Sequence, residues 1–144
     1  MNKPVFAVAT KALIVKDDKL LIIYKTVEEA KSHSEADNPN FFTDYETRRD
    51  LPGGGMDFGE NPKESLLREV KEETGLDVEI IKPVDVWFFI RDNRQVVGIT
   101  HLCKWKSNEV ILSDEHEHFE WLSKAELFAK NWDDVERYLV AFDN

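Results

Sequence analysis

Glu69, Glu72 and Glu73 fall in the stretch REVKEETGL, residues 68–76, at a spacing that puts three carboxylates on one side of a helix. Residues three and four apart are neighbours on a helix surface, so these groups repel one another unless a cation joins them. With no histidine or cysteine beside them they make a hard, all-oxygen donor set, suited to Mg²⁺ or Mn²⁺ rather than Zn²⁺. Magnesium usually comes with phosphate. There metal ions neutralise phosphoryl oxygens, lower the pKa of water and align attack with departure. Arg68 lies one turn before Glu72, where a charge-assisted hydrogen bond can hold the carboxylate in place. An isolated EVKEE segment is more often a solvated acidic helix face, so the reading depends on its surroundings.

Those surroundings specify the helix well. Asn61 is a good cap, Pro62 occupies the favoured first position, Glu64 completes a variant of the capping box, and Gly75 ends the element, which sets the limits at 62–74. Leu66, Leu67 and Val70 are expected to face a sheet, leaving the acids at the rim of the core. Upstream, LPGGGMDFGENP reads as a glycine-rich turn entering the helix. VFAVATKALIV and LLIIY flank the turn KDDK, and LDVEIIKPVDVWFFI and VVGITHLCKW flank RDNRQ; all four read as strands. A last strand is expected over Phe119–Leu122. KAELFAK and DDVERYLVAF read as helices, the second with an apolar stripe through Val135, Leu139, Val140 and Phe142. Residues 26–50 break all periodicity and read as a long loop carrying Phe41, Phe42, Tyr45, Arg48 and Arg49.

Composition narrows the class of protein. A chain of 144 residues, 42% hydrophobic and 33% charged, fits one domain over 1–144 with a sizeable core. Its net charge of −10 argues against nucleic acid or an anionic membrane as partner, since either would call for a basic patch. Cys103 is the only cysteine, so no internal disulfide is possible, and it reads as a core residue. The N-terminal stretch lacks the pattern of a signal peptide and no apolar run approaches membrane-spanning length, so a cytoplasmic location is expected.

From Gly54 to Leu76 the sequence GGMDFGENPKESLLREVKEETGL resembles the signature of the Nudix hydrolases. Gly54, Glu60, Arg68, Glu69, Val70, Glu72, Glu73, Gly75 and Leu76 occupy its constrained positions without a departure, and Leu51 and Pro52 look like its usual entry. The resemblance implies an α/β (α+β) fold, an α/β/α sandwich with a mixed β-sheet between helices. It implies Mg²⁺- or Mn²⁺-dependent hydrolysis of the pyrophosphate linkage in a nucleoside diphosphate derivative by metal-activated water. Glu69, Glu72, Glu73 and the carbonyl of Gly53 would bind the metal, with Arg68 and Glu60 orienting the carboxylates. The family also uses an acid from a loop before a late strand. In SDEHEHFEWL that acid is expected to be Glu115, with Glu117 second, whereas His116 and His118 read as solvent-facing.

Substrate choice must come from outside the signature. Phe41, Phe42 and Tyr45, or Trp87 and Phe89 on their strand, could sandwich a nucleobase, with core packing the competing expectation for at least one face of that strand. Arg48 and Arg49 could pair with substrate phosphates. The stretch RDNRQ carries neither the proline nor the tyrosine that marks ADP-ribose or dinucleoside-polyphosphate subfamilies. The expectation is a nucleoside triphosphate or related small nucleotide, with a nucleotide sugar next and a non-catalytic nucleotide-binding domain as the rival class. The chain is expected to act as a monomer or homodimer.

Overall fold

The computed structural model describes residues 3–32 and 43–143. Seven strands form one mixed sheet: β1 (Val5–Lys16), β2 (Lys19–Lys25), β3 (Arg49–Asp50), β4 (Gly53–Gly55), β5 (Asp77–Arg91), β6 (Arg94–Ser107) and β7 (His116–Ser123). The order β3-β2-β1-β6-β5 holds the main path, with β4 on β1 and β7 on β2. β1 and β6 run parallel along their length and every other pairing is antiparallel. Asp17, Asp18 and Asp92 turn the two hairpins with positive φ, a conformation that aspartate tolerates better than most residues.

Alternation along β1 and β2 divides the core in two, because successive strand side chains point to opposite faces. Leu13, Leu20, Ile22 and Tyr24 pack with Trp132 and Tyr138 near the C-terminal helices α3 (Lys124–Ala129) and α4 (Glu136–Leu139). Ala12, Ile14, Leu21, Ile23 and Cys103 pack under α2 (Pro62–Thr74) through Leu66 and Val70. Helices thus cover both faces, the sandwich expected from the sequence. Fully burying Leu66 and Val70 is worth about 1.5–3 kcal/mol each, which seats α2 firmly.

The limits of α2 match the sequence reading: Asn61 Oδ1 accepts from the Lys63 N–H, and Gly75 closes the helix at φ 74°. Leu67 corrects it, since this residue is 42% exposed rather than packed on the sheet. Residues 26–50 are not an unbroken loop. Thr26 caps a short helix α1 (Val27–Lys31), and Asp44 caps a 3₁₀ turn (Tyr45–Arg48) leading into β3. Both caps accept a backbone N–H, a local signal available in the sequence but masked by the lack of apolar periodicity. The last helix is shorter than expected and finishes as a 3₁₀ turn over Val140–Phe142. β7 begins at His116, three residues before the predicted start.

β5 is an edge strand, and this alters the reading of its aromatics. Phe88 is 62% exposed and Phe89 41%, so neither face of this segment is packed as core. Among the described residues no helix is long and apolar enough to cross a membrane.

Candidate active site

β1 is shared. Its C-terminal end pairs with β2 while Ala9, Thr10 and Lys11 pair with Gly55, Gly54 and Gly53 of β4, so the glycine run is folded back against the middle of the strand. Gly53 is obligatory there: its φ is +131°, and a Cβ would run into the carbonyl oxygen of Thr10. The peptide is gripped by its N–H, which donates to Glu73 Oε1 at 2.7 Å. At Gly54 an added Cβ would come within 3.2 Å of Glu69 Oε2, so the second glycine lets that carboxylate approach the loop.

Around these residues opens a cleft of about 1010 Å³, lined by Gly53, Gly54, Glu69, Glu73, Glu115, Trp87 and Phe89 among others. Burial pushes the Glu73 carboxyl up to about 8, against the opposing pull of Lys11 and the Gly53 N–H, with Asp50 and Glu69 adding repulsion. Glu69 is also raised, first by burial, with Glu72 and Glu115 repelling its charge and Arg68 favouring it. Carboxylates so crowded and desolvated would be relieved by a divalent cation, and with the Gly53 carbonyl they would supply oxygen donors of the kind that suits Mg²⁺ or Mn²⁺. Among the described residues no three acid, imidazole or thiol groups already converge as a cage. On the helix itself the Glu72 side chain is 58% exposed and lies 3.3 Å from Arg68.

Arg68 links three of the acids by hydrogen bonds. Its Nε and Nη2 each donate to Glu60 at 2.9 Å, and Nη1 reaches both Glu69 and Glu72 at 3.3 Å. Glu60 in turn accepts the Asp57 N–H at 2.7 Å, fixing the loop before the helix. Of the two late acids, Glu115 lines the cleft, and its backbone carbonyl accepts from Thr26 N at 3.0 Å. Glu117 pairs instead with Arg48 at 2.7 Å.

The lining of the cleft also carries two aromatic rings. The Trp87 and Phe89 rings lie 6.2 Å apart and within 6° of parallel, side by side on one face of β5. The indole rests on Gly98 of β6, where any Cβ would strike the ring, and its Nε1–H donates to Thr100 Oγ1 at 3.0 Å. The two arginines lie elsewhere. Arg48 is 5% exposed, donating to the Lys25 carbonyl at 3.0 Å as well as to Glu117. Arg49 pairs with Asp134 at 2.8 Å and its guanidinium lies 4.6 Å from the Trp132 ring centre. Both are held by the protein's own acids, outside the main cleft. Phe41 and Phe42 lie outside the described residues.

Lys11 and Asp50, which line the cleft with the glutamates, escaped the sequence reading. Lys11 donates to Asp50 at 3.0 Å and to the carbonyls of Leu51 and Gly53 at 3.1 and 3.2 Å. His116, expected in solvent, has a side chain only 1% exposed, with Nε2 at 3.1 Å from Asp50 Oδ2. A signal existed: Lys11 is the lone charge inside an apolar strand, and a cation so placed needs a partner.

The fold and site together define a class: a mixed sheet between helices, with a glycine strand laid under a helix that presents clustered glutamates to a cleft. The family model of the NUDIX domain matches residues 6–142, and the chain belongs to that family. A MutT-like protein of Streptomyces ambofaciens is 27% identical over 126 residues, 88% of this chain and 70% of that protein. An RNA pyrophosphohydrolase of Bartonella quintana is 37% identical over 65 residues, 44% of this chain, and the match spans only 38% of that protein's length. The crystal structure of a MutT protein from Methanosarcina mazei superposes with a TM-score of 0.71 at 24% identity, over 100% of this chain and 99% of that one, a likeness of fold.

Proposed function

We propose that the protein is a Mg²⁺- or Mn²⁺-dependent hydrolase that cleaves the pyrophosphate linkage of a nucleoside diphosphate derivative, with a nucleoside triphosphate or related small nucleotide as its preferred class. The observation that carries this reading is the cleft itself, whose lining brings Glu69, Glu73, Glu115 and Gly53 together with the Trp87–Phe89 ledge. A cleft of this size accommodates a nucleotide, its phosphates toward the acids and its base against the rings.

Gly53, Glu69, Glu72, Glu73 and Glu115 would hold the ion, which supplies charge neutralisation on phosphoryl oxygens and a lowered pKa for water. The protein's own contribution is positioning. Arg68 and Glu60 keep the carboxylates oriented, and Glu73 holds the Gly53 peptide. Trp87 offers a flat surface to a base, where stacking is worth about 1–3 kcal/mol and is tolerant of base identity. This assigns cleavage to the acids and substrate selection to the aromatic wall.

The test is a panel of nucleoside triphosphates, nucleotide sugars and dinucleoside polyphosphates incubated with the protein and Mg²⁺, the products being separated to show which bond breaks. Release of pyrophosphate or phosphate with a nucleoside phosphate supports the proposal. Product from nucleotide sugars alone moves the substrate class, and binding without product leaves a nucleotide-binding domain. A hydrolase of this kind would work in the cytoplasm, where Mg²⁺ and nucleotides are abundant.

A further inference from the structure

Asp50 lines the same cleft as the glutamates but differs from them in its bonding. Its Oδ1 accepts from Lys11 Nζ at 3.0 Å and from the Leu51 N–H at 2.9 Å, while Oδ2 faces His116 Nε2 at 3.1 Å. Both oxygens are occupied, and the carboxylate is held well below its usual range; burial opposes the charge, and Lys11 and then His116 outweigh it. Lys11 meanwhile stands at the edge of the candidate ligand set, donating to Gly53 O at 3.2 Å on a flexible four-carbon stem. Glu73 accepts the N–H of that same glycine at 2.7 Å, and Glu69 lines the cleft together with Lys11. An ammonium and a divalent ion would compete for those two groups.

We propose that Asp50 is a dedicated counter-ion for Lys11, and that this pairing keeps Glu69 and Glu73 free for a divalent cation. Asp50 is a positioning residue, acting on the metal site through Lys11 and linked by His116 to the segment that carries Glu115. The inference rests on the metal-dependent reading above. It explains why a lysine stands among acids that must bind a cation: it can hold the glycine loop through Leu51 and Gly53 because its charge is satisfied elsewhere.

Mn²⁺ binding, measured by the electron paramagnetic resonance of the free ion, separates this role from simple structural support. Purified wild type, Asp50→Asn and the double variant Lys11→Met/Asp50→Asn would be compared, with circular dichroism and thermal melts reporting the fold. In Asp50→Asn the ammonium turns to Glu73, and Mn²⁺ affinity should fall at least tenfold in a folded protein. The double variant removes the competitor and should bind Mn²⁺ within about threefold of wild type, although Asp50 is still missing. Wild-type affinity in Asp50→Asn, or a double variant as weak as the single one, would overturn the proposal. If Asp50→Asn does not fold, the double variant decides, a tenfold loss there counting against the counter-ion role. Failure of the wild type to bind Mn²⁺ would instead defeat the metal-dependent reading itself.

Discussion

Glu73 and Gly53 are joined by a 2.7 Å hydrogen bond from the glycine N–H to Oε1, so a helix carboxylate and the peptide of the glycine strand form one unit. The side chain is buried and its carboxyl is lifted to about 8. Glutamine keeps an oxygen for that N–H but loses the charge. Glu73→Gln should therefore melt within a few degrees of wild type while losing roughly 10²-fold or more of its Mg²⁺-dependent turnover. Wild-type rates in the purified variant would remove Glu73 from the catalytic assignment.

The same burial sets a pH dependence. A carboxyl whose folded pKa is raised binds its proton more tightly in the folded state, so the stability it contributes is lost as pH climbs toward and through about 8. His101, lowered by burial and by Lys63, acts in the opposite sense below its ordinary value. Between about pH 6.5 and 8.5 the metal-free protein should therefore lose stability, at up to about 1.4 kcal/mol per pH unit. Melts in a chelator across that range check this, and a flat profile would contradict the buried, proton-holding Glu73.

Divalent ions should reverse that loss. An ion that binds only the folded acid cluster would stabilise it by mass action, by about 2.7 kcal/mol at a hundredfold excess over Kd. Since the ion competes with the Glu73 proton, the gain in Tm should be larger at pH 8 than at pH 6. Equal gains at both values would mean that Glu73 is not among the ligands.

The aromatic wall can be disturbed from behind. Gly98→Val places methyls where the Trp87 indole now lies, lifting the ring from β6 and breaking its bond to Thr100. The KM for the best nucleotide of the panel should rise about tenfold, in line with the loss of one stacking contact. Mn²⁺ affinity should stay unchanged. An unaltered KM would move base recognition away from Trp87 and Phe89.

Arg48 should matter chiefly to stability. It is buried, and its removal takes away the hydrogen bonds it donates to the Lys25 carbonyl and to Glu117. Arg48→Ala should lower stability by about 2–4 kcal/mol, read as a fall in Tm. A variant as stable as wild type but with a raised KM would return this residue to phosphate recognition.

The helix 62–74 was legible because its signals are local: a cap, a proline, a closing glycine and an apolar spacing, all within fifteen residues. The strands were legible for the same reason. What failed was reasoning about faces. Leu67 fits the apolar pattern yet lies exposed, and Phe88 and Phe89 read as candidates for core although their strand forms the edge of the sheet. Periodicity tells which side chains share a face but not what covers that face. The arginines before the glycines show a similar limit, since their partners Glu117 and Asp134 lie 69 and 85 residues away.

The order of residues by itself determined the glutamate helix, the glycine run that precedes it, and the family, because spacing along one helix and one turn is a short-range property of the chain. Tertiary structure alone decided which groups meet across the sheet. It brought Lys11 and His116 to the two oxygens of Asp50, 39 and 66 residues away along the chain. It also set Trp87 over Gly98 and turned Glu115 rather than Glu117 toward the cleft. Those meetings follow from strand order and register, which depend on packing both faces of the sheet at once, and no window of local sequence carries that information.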